Sequence, residues 1–253
     1  MSDIKARIQS QFDKVASNYR TSRVHAAGED LKRFGELLAD RSVISALDVG
    51  CGAGHTSAAV APYAERVTAV DITAGMLQQT EALCAERGIT NVQVQVGDVL
   101  ELPFEQEYFD AIVTRYSAHH WANPEQAVRE CWRVLKPGGI FILSDVIGLE
   151  NYADDTFLQA IELLRDSSHV RDFTIPQWQT MIEAADFAYR LDYSWQIDLD
   201  FEAWTARMAV PPEKVTMIRQ LFDEANDSVR AALAIEANHN FKLPCALFVG
   251  QKA

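Results

Sequence analysis

The sequence predicts an α/β domain built around a mostly parallel β-sheet. From about residue 44, short β-branched runs alternate with longer helical patterns, which is typical of repeated βαβ units. The runs are apolar along most of their length, as expected for strands buried on both faces. A chain of 253 residues, 48% of them hydrophobic, can bury a large core in a single domain. Disordered and fibrous architectures are therefore excluded.

Seven segments are predicted to be strands. They read VISALDV (43–49), RVTAVDI (66–72), NVQVQVG (91–97), FDAIVTR (109–115), GIFILSDV (139–146), YRLDYSWQIDL (189–199) and FKLPCALFVG (241–250). Helices are predicted to begin near Gly54, Thr73 and Pro124. Thr73 is a candidate N-cap for a helix that Gly88 closes after residue 87. Asn123 followed by Pro124 gives the same start signal for a helix that ends at residue 136.

Further helices are predicted on both sides of this alternating region. Two lie at about 3–18 and 24–40, and later ones at about 152–165, 175–186 and within 201–237. The first two are attached to no strand of their own and are expected to cover a site. We expect one domain with three parts, because no Gly/Ser-rich linker interrupts the chain. The parts are an N-terminal helical cap (1–42), a core (43–146), and a helical insertion with the last strands (147–253).

Charge and composition narrow the possible partners. The net charge is −13, and residues 150–202 hold twelve acidic residues against three arginines. Nucleic acid and anionic membrane surfaces would be repelled, so a small-molecule partner is expected. No apolar run reaches the ~18 residues of a membrane span, and the N-terminus lacks a signal-peptide pattern. Four isolated cysteines indicate reduced thiols and no zinc site. A soluble, cytoplasmic protein is predicted; its oligomeric state stays open.

The strongest local motif joins the first predicted strand to a helix. It runs from Leu47 to His55 and contains glycines at positions 50, 52 and 54. Glycines at such a turn let a ligand approach the backbone, and the following helix N-terminus presents free N–H groups. The dinucleotide fingerprint GxGxxG would require glycine at position 55, where histidine stands. The pattern is therefore GxGxG.

This pattern, Asp48-x-Gly50-x-Gly52-x-Gly54, resembles motif I of the class I S-adenosylmethionine-dependent methyltransferases. Four more segments match that family in order: Asp71 after the second strand, Gly97-Asp98-Val99 after the third, LPF (102–104) with YFD (108–110), and LKPGG (135–139). The resemblance implies a Rossmann-like, doubly wound, seven-stranded sheet with an antiparallel last strand. It also implies S-adenosyl-L-methionine as the cofactor.

Two further segments are similar to the ubiquinone/menaquinone-biosynthesis-like branch of this family. They are FDxxAxxY (12–19) and RYSAHH (115–120). Small bacterial proteins of that branch share the second segment, and they also have a segment that resembles LRDSSHVR (164–171). The resemblance to these proteins extends over nearly the whole chain. The quinone enzymes themselves differ after the fourth strand, so quinone methylation is not implied.

The resemblance assigns cofactor contacts to individual residues. Asp71 would accept hydrogen bonds from the ribose hydroxyls, and Asp98 from the exocyclic amine of adenine. Met76 would pack against adenine, although a core role is also open. Arg115 would pair with the methionine carboxylate or an acidic substrate, and a surface ion pair is the alternative. The full set of predicted cofactor residues is Tyr19, Arg23, Asp48, Gly50, Gly52, Gly54, Asp71, Ile72, Met76, Gly97, Asp98, Val99 and Arg115.

His119 and His120 are the candidate catalytic residues. They follow the fourth strand, where the family places a loop close to the transferred methyl group. If the acceptor is a hydroxyl or an acidic carbon, a histidine can serve as the base. Backbone hydrogen bonding beside Trp121 is the structural alternative. A metal site is not predicted, because adjacent side chains cannot readily share one ion.

The predicted function is methyl transfer to an oxygen or carbon of a small molecule. Two alternatives remain from sequence: a cofactor-binding module without activity, and a nicotinamide-dependent oxidoreductase, which His55 disfavours. His169 and Arg171 are candidates to line the acceptor pocket or to tie the insertion to the sheet. The aromatic residues Trp178, Trp195, Phe201 and Trp204 are candidates for an apolar substrate surface or for the core. The acidic segment 150–202 disfavours an anionic acceptor unless Arg115, Arg165 or Arg171 faces the pocket.

Overall fold

A computed structural model describes residues 2–20 and 27–253, and its centre is one seven-stranded sheet. The strands are β1 (Val43–Val49), β2 (Ala64–Asp71), β3 (Val92–Val96), β4 (Phe109–Arg115), β5 (Leu135–Val146), β6 (Phe187–Leu199) and β7 (Phe241–Lys252). Their order across the sheet is β3-β2-β1-β4-β5-β7-β6. Only β7 runs antiparallel to its neighbours, between β5 and β6. The predicted Rossmann-like, doubly wound fold with an antiparallel last strand is confirmed.

Helices cover both faces of the sheet. In the described residues they are α1 (Ser2–Arg20), α2 (Glu29–Ala39), α3 (His55–Val60), α4 (Ala74–Glu86), α5 (Pro124–Val134), α6 (Tyr152–Arg165), α7 (Ile175–Glu183), α8 (Phe201–Arg207), α9 (Pro212–Glu224) and α10 (Asp227–Ala232). None of these is long and apolar enough to cross a membrane. Helices α6 and α7 separate β5 from β6, and α8 to α10 separate β6 from β7.

Burial of the strands follows their position in the sheet. The interior strands β1 and β4 are buried over nearly their full length, as predicted. The edge strands β3 and β6 instead have many partly or fully exposed residues. The expectation of burial on both faces was wrong for these two strands. Each has a neighbour on one side only, and helices cover less of a sheet at its margins.

Helix boundaries agree with the predicted capping signals in one case and refine them in another. The Asn123 side chain accepts a hydrogen bond from the backbone N–H of Gln126 at 3.1 Å and caps α5. The helix ends at Val134 because β5 begins at the next residue. Thr73 stands at the N-cap position of α4, but its hydroxyl makes no capping bond. Its N–H instead donates to Asp71 Oδ1 at 2.8 Å, which draws the start of α4 toward the end of β2.

The two N-terminal helices have different positions. Helix α1 lies over the carboxyl ends of the strands and packs against α4, where Gln9 Nε2 donates to the carbonyl of Ile72 at 2.9 Å. Helix α2 contributes the fully buried Phe34 and Leu38 to the core on one face of the sheet. Of the two helices predicted to form a cap, α1 is therefore the one that covers the sheet edge described below.

Candidate functional site

The glycine turn between β1 and α3 has the backbone that its sequence demands. Gly50, Gly52 and Gly54 all have positive φ angles, of 66°, 53° and 84°. A Cβ at Gly50 would lie 1.9 Å from Ser117 Oγ, so no larger residue fits there. A Cβ at Gly52 would meet nothing within 4 Å. The turn thus leaves open space in front of Gly52.

That space belongs to a first cavity at the carboxyl ends of β1 to β4, roofed by α1. The cavity encloses about 1040 Å³, including its open mouth. Most of the predicted cofactor residues line it, namely Tyr19, Gly50, Gly52, Asp71, Ile72, Met76, Gly97, Asp98, Val99 and Arg115. Two of the predicted residues, Asp48 and Gly54, are not among its lining residues, and Arg23 lies outside the described residues.

Asp48 and Gly54 hold the turn from behind. Ser57 Oγ donates to Asp48 Oδ2 at 2.5 Å, and Asp48 is buried. Burial raises the pKa of Asp48 to about 7, against the lowering effect of the Ser57 hydrogen bond. Gly54 is the N-cap of α3, and a Cβ there would lie 2.8 Å from the Thr80 side chain. Both residues therefore support the loop, and neither of them lines the cavity.

Two carboxylates stand at the ends of β2 and β3 in the first cavity. Asp71 accepts hydrogen bonds from the N–H groups of Gly52 at 3.0 Å and Thr73 at 2.8 Å. Burial raises the pKa of Asp71, and these backbone donors oppose that rise. Asp98 accepts from the N–H of Leu100 at 2.9 Å and forms an ion pair with Lys5 of α1. The backbone thus fixes the position of both carboxylates.

Arg115, at the end of β4, has an internal partner that the sequence analysis missed. Its Nε donates to Asp30 Oδ2 at 2.5 Å and its Nη2 to Asp30 Oδ1 at 3.1 Å, and both side chains are buried. Ser144 Oγ also donates to Asp30 Oδ2 at 3.2 Å. The predicted pairing of Arg115 with a ligand carboxylate stays a prediction. What the geometry adds is a carboxylate from α2 that orients the guanidinium at the cavity wall.

The first cavity fits S-adenosylmethionine by the chemistry of its walls. An open glycine turn admits a ligand close to the backbone. Two anchored carboxylates offer acceptors for hydroxyl and amine hydrogens. Ile72, Met76 and Val99 supply apolar surface between them, suited to a flat ring. The residues present therefore fit the ribose hydroxyls, the adenine amine and the adenine ring of the cofactor that the sequence resemblance implies.

A second cavity of about 610 Å³ adjoins the first. The two cavities share Phe12, Tyr19, Tyr116 and His120 as walls. The insertion provides most of the remaining walls, and these are mainly ionisable or polar. They include His119, Glu162, Arg165, Asp166, His169, Asp172, Trp204 and Arg207. The second cavity is thus a chamber with many charged walls that shares His120 with the first.

His119 lines the second cavity and is held as a cation. Its Nδ1 lies 2.7 Å from Asp145 Oδ1, and its backbone N–H donates to Asp145 Oδ2 at 3.1 Å. Burial lowers the pKa of His119, but the charge and hydrogen bond of Asp145, together with the charges of Asp172 and Glu162, raise this pKa to about 9. A protonated imidazole has no free lone pair to accept a proton. His119 is therefore poorly suited to act as a base near neutral pH.

His120 has the opposite character and stands between the two cavities. Its Nδ1 lies 3.1 Å from the carbonyl oxygen of Ser168, so Nδ1 carries the proton and Nε2 presents a lone pair. Burial, followed by the nearby His119 cation, lowers the pKa of His120 to about 4. Asp166 Oδ2 lies 3.9 Å from Nε2. His120 is accordingly neutral at physiological pH and carries a carboxylate beside its basic nitrogen.

The other predicted residues of the insertion divide between the second cavity and the rest of the structure. His169 and Trp204 line the cavity. Arg171 does not line the cavity; it pairs with Asp155 at 2.5 Å, and its side chain is partly exposed. Trp178 and Phe201 are fully buried in apolar clusters. Trp195 stacks on Tyr193 along the edge strand β6, with ring centroids 4.7 Å apart.

Sequence reasoning missed several groups in and behind the walls of the second cavity. Asp145, the last residue but one of β5, is not itself a wall but holds His119, and its place among the carboxyl ends of the parallel strands was the available signal. Asp166 lies within the LRDSSHVR segment, two residues before Ser168, whose carbonyl holds His120. Tyr116 is a wall of both cavities and has a φ of 50°, which is rare for a bulky residue. Arg207, from α8, carried no motif that pointed to it.

Comparison with known proteins places the chain in a family. A family model described as "Methyltransferase domain" matches residues 47–143. The uncharacterized methyltransferase YcgJ of Bacillus subtilis is 36% identical over 232 residues, covering 92% of this chain and 92% of that protein. The crystal structure of YcgJ superposes with a TM-score of 0.85 and 33% identity, over 88% of this chain and 98% of the other.

A second relative supports the branch suggested by the sequence segments. Demethylmenaquinone methyltransferase of Clavibacter sepedonicus is 32% identical over 143 residues, which cover 55% of this chain and 58% of that enzyme. These matches confirm methyl transfer as the reaction and S-adenosylmethionine as the cofactor, in preference to nicotinamide chemistry. The chain therefore belongs to the class I S-adenosylmethionine-dependent methyltransferases, in the ubiquinone/menaquinone-like branch.

Proposed function

We propose that the first cavity holds S-adenosylmethionine and that the second holds a small-molecule acceptor, methylated at an oxygen or a carbon with His120 as base. The observation that carries this proposal is that His120 is a wall of both cavities. A group between donor and acceptor can contact the reacting atoms, whereas His119 lines the second cavity alone. The two candidate histidines therefore receive different roles.

The proposed proton acceptor is Nε2 of His120. Its position is fixed because Nδ1–H donates to the Ser168 carbonyl and the ring packs edge-on against Phe12, with centroids 5.0 Å apart. When Nε2 takes the proton of an acceptor hydroxyl or acidic carbon, the Asp166 carboxylate stabilises the resulting imidazolium. Burial, and next the His119 cation, keep His120 unprotonated beforehand, since a buried site and a neighbouring cation both disfavour a second positive charge.

S-adenosylmethionine, when bound, supplies an electrophilic methyl group on a sulfonium. Asp71 would accept from the ribose hydroxyls, and Asp98 from the adenine amine, with Ile72, Met76 and Val99 along the ring. Tyr19 and Arg115 would contact the methionine part, and Arg23 would join them there. Gly50, Gly52, Gly97 and, from behind, Asp48 and Gly54 would shape the turn that receives the cofactor.

The acceptor is proposed to be a small molecule and not a nucleic acid. The chain carries a net charge of −13, which repels a polyanion. The second cavity is also a chamber of about 610 Å³, a size suited to a single small ligand. Four buried free cysteines favour action in the reducing cytoplasm.

Calorimetry with S-adenosylhomocysteine tests the cofactor site, and a screen of acceptors with methyl-labelled S-adenosylmethionine tests transfer. We expect S-adenosylhomocysteine to bind, and we expect at least one small compound with a hydroxyl group or an acidic carbon to become labelled. The His120→Gln variant should lose the labelling and should bind S-adenosylhomocysteine as the wild type does. Equal labelling by His120→Gln would contradict the base role, and tight binding without transfer to any acceptor would favour a cofactor-binding module.

A further inference from the structure

Two arginines from different helices line the second cavity. Arg165 ends α6 and Arg207 ends α8. Arg165 is held in one orientation: Nε donates to the Trp204 carbonyl at 3.1 Å, Nη1 donates to Glu162 at 3.4 Å, and the guanidinium lies 4.9 Å from the Trp204 ring centroid. Its side chain is only 9% exposed. These contacts preorganise a buried guanidinium at the cavity wall.

The two guanidinium groups act on each other. Burial, and next the charge of Arg165, lower the pKa of Arg207 to about 10. Both side chains are cations at neutral pH and line the same cavity, where little solvent screens their charges. An anion bound in this cavity would lower the electrostatic cost of holding the two positive charges there, which gives the pair a reason to prefer a negatively charged ligand.

The carboxyl groups of the same cavity are largely committed or uncharged. Asp166 accepts hydrogen bonds from the N–H and the hydroxyl of Ser168, at 2.8 Å and 2.6 Å. Glu162 accepts from Arg165. Burial and the neighbouring Glu162 raise the pKa of Asp172 well above its ordinary value, which favours its protonated form. In that form the carboxyl group does not repel an anion and can donate a hydrogen bond to it.

We propose that the acceptor of the methyl transfer carries a carboxylate, which Arg165 and Arg207 bind in the second cavity. This inference rests on the proposed acceptor role of that cavity. A guanidinium matches a carboxylate in shape and hydrogen bonding. A single negative charge is favoured over a phosphate dianion, because Glu162 already neutralises part of the positive charge and residues 150–202 are strongly acidic. The acidic segment 150–202 is expected from the sequence to disfavour an anionic acceptor unless an arginine faces the pocket, and Arg165 meets this condition.

The test uses trifluoroacetate, a carboxylate small enough to enter regardless of the shape of the true acceptor. Its binding to the full chain saturated with S-adenosylhomocysteine is followed by ¹⁹F NMR, with trifluoroacetamide as the neutral partner of equal size. We expect saturable binding of trifluoroacetate and none of trifluoroacetamide. Equal behaviour of the two probes, or no saturation with trifluoroacetate, would overturn the proposal. Inorganic phosphate and acetate are then compared as competitors of trifluoroacetate. If phosphate displaces the probe at a lower concentration than acetate does, the two arginines bind phosphorylated ligands, and the proposal of a carboxylate-bearing acceptor is overturned.

Three variants locate the binding. Arg165→Gln and Arg207→Gln should each weaken trifluoroacetate binding by about tenfold or more, the scale of a lost hydrogen bond to a charged group. Arg171→Gln is the matched control, because Arg171 pairs with Asp155 outside the cavity, and it should bind like the wild type. Unchanged binding in both cavity variants would overturn the assignment.

Affinity for S-adenosylhomocysteine, measured on the same samples, reports folding and the first cavity separately. Retained S-adenosylhomocysteine binding without trifluoroacetate binding refutes the carboxylate site alone. Absence of S-adenosylhomocysteine binding in the wild type refutes the proposed function instead.

Discussion

The first and second cavities adjoin each other but are built on different principles. The first lies at the ends of β1 to β4, and its two carboxylates are fixed by backbone N–H groups. The second is walled mainly by side chains of the insertion, which hold one another through ion pairs and hydrogen bonds. In the proposed arrangement, the cofactor common to the family is received at a site that backbone geometry fixes. The proposed acceptor is met by side chains, which can change without altering the sheet.

The contrast extends to protonation. In the second cavity, His119 and His120 are neighbours in sequence with ring centroids 4.2 Å apart, yet the pKa of one is raised and that of the other lowered. Asp145 accounts for the difference, because it contacts His119 directly. One histidine is held as a cation and the other as a neutral base, although the two are adjacent in the chain.

The largest expected effect comes from removing the base. With an acceptor identified by labelling, His120→Gln should lower kcat by roughly 10²–10⁴-fold, the usual contribution of general base catalysis. Affinity for S-adenosylhomocysteine should stay within a factor of about two, because a neutral base contributes little to cofactor binding. His239→Gln is the control, since His239 lies near the surface and pairs with Asp223. If His120→Gln also lost affinity for S-adenosylhomocysteine, the proposed separation of cofactor binding in the first cavity from base catalysis would be contradicted.

The pH dependence of stability should reveal the His119–Asp145 pair. The folded-state pKa of His119 is about 9, whereas an unfolded histidine titrates near 6.5. The pair therefore stabilises the fold fully below about pH 6.5, and this contribution is lost as the pH rises through about 9. A shift of this size corresponds to about 3 kcal/mol in the free energy of unfolding.

Urea unfolding between pH 6 and 10 measures this loss, and Asp145→Asn should flatten the profile. His120 has the opposite linkage: its pKa is lowered to about 4, so its contribution is lost as the pH falls from about 6.5 through 4. An alkaline decline that persists unchanged in Asp145→Asn would show that other groups cause it.

Asp71→Asn should act on the first cavity alone. The N–H groups of Gly52 and Thr73 donate to different oxygens of Asp71, so the amide oxygen can accept from only one of them, and the charge offered to the ribose hydroxyls is lost. We expect S-adenosylhomocysteine to bind more weakly by about 2 kcal/mol, or roughly thirtyfold in calorimetry. The matched control is Asp110→Asn, whose carboxylate accepts from Ser45 N–H near the opposite end of β1. Equal losses in both variants would indicate a stability effect and remove the ribose role.

The two cavities also differ in how far the sequence could predict them. The bounds of β1 and β4 and the positions of Asp71 and Asp98 follow from local patterns, because strand, glycine turn and helix are consecutive in the chain. Residues at the ends of adjacent parallel strands meet at one edge of the sheet without further information. This is why ten of the predicted cofactor residues line one cavity.

The second cavity depends on contacts that no local pattern encodes. The Ser168 carbonyl, for example, reaches His120 across 48 positions of the chain. Which charged side chain of the insertion turns inward depends on helix orientation, which periodicity alone does not determine. Arg165 and Arg171 illustrate this point: they lie six residues apart, and only the first is a wall of the cavity.

The smallest expected effect concerns the helix that roofs the first cavity. Lys5 of α1 pairs with Asp98, and its side chain is 37% exposed, so the pair should contribute less than about 1 kcal/mol. If Asp98 accepts from the adenine amine, Lys5 competes for the same carboxylate, and Lys5→Ala should bind S-adenosylhomocysteine equally well or up to about threefold more tightly. Calorimetry in low and high salt measures the change, which should shrink with screening. Lys32→Ala removes an exposed lysine from α2 and should have no effect. A loss beyond about tenfold in Lys5→Ala would mean that a side chain of α1 itself holds the cofactor, and the first cavity would then depend on side chains as the second does.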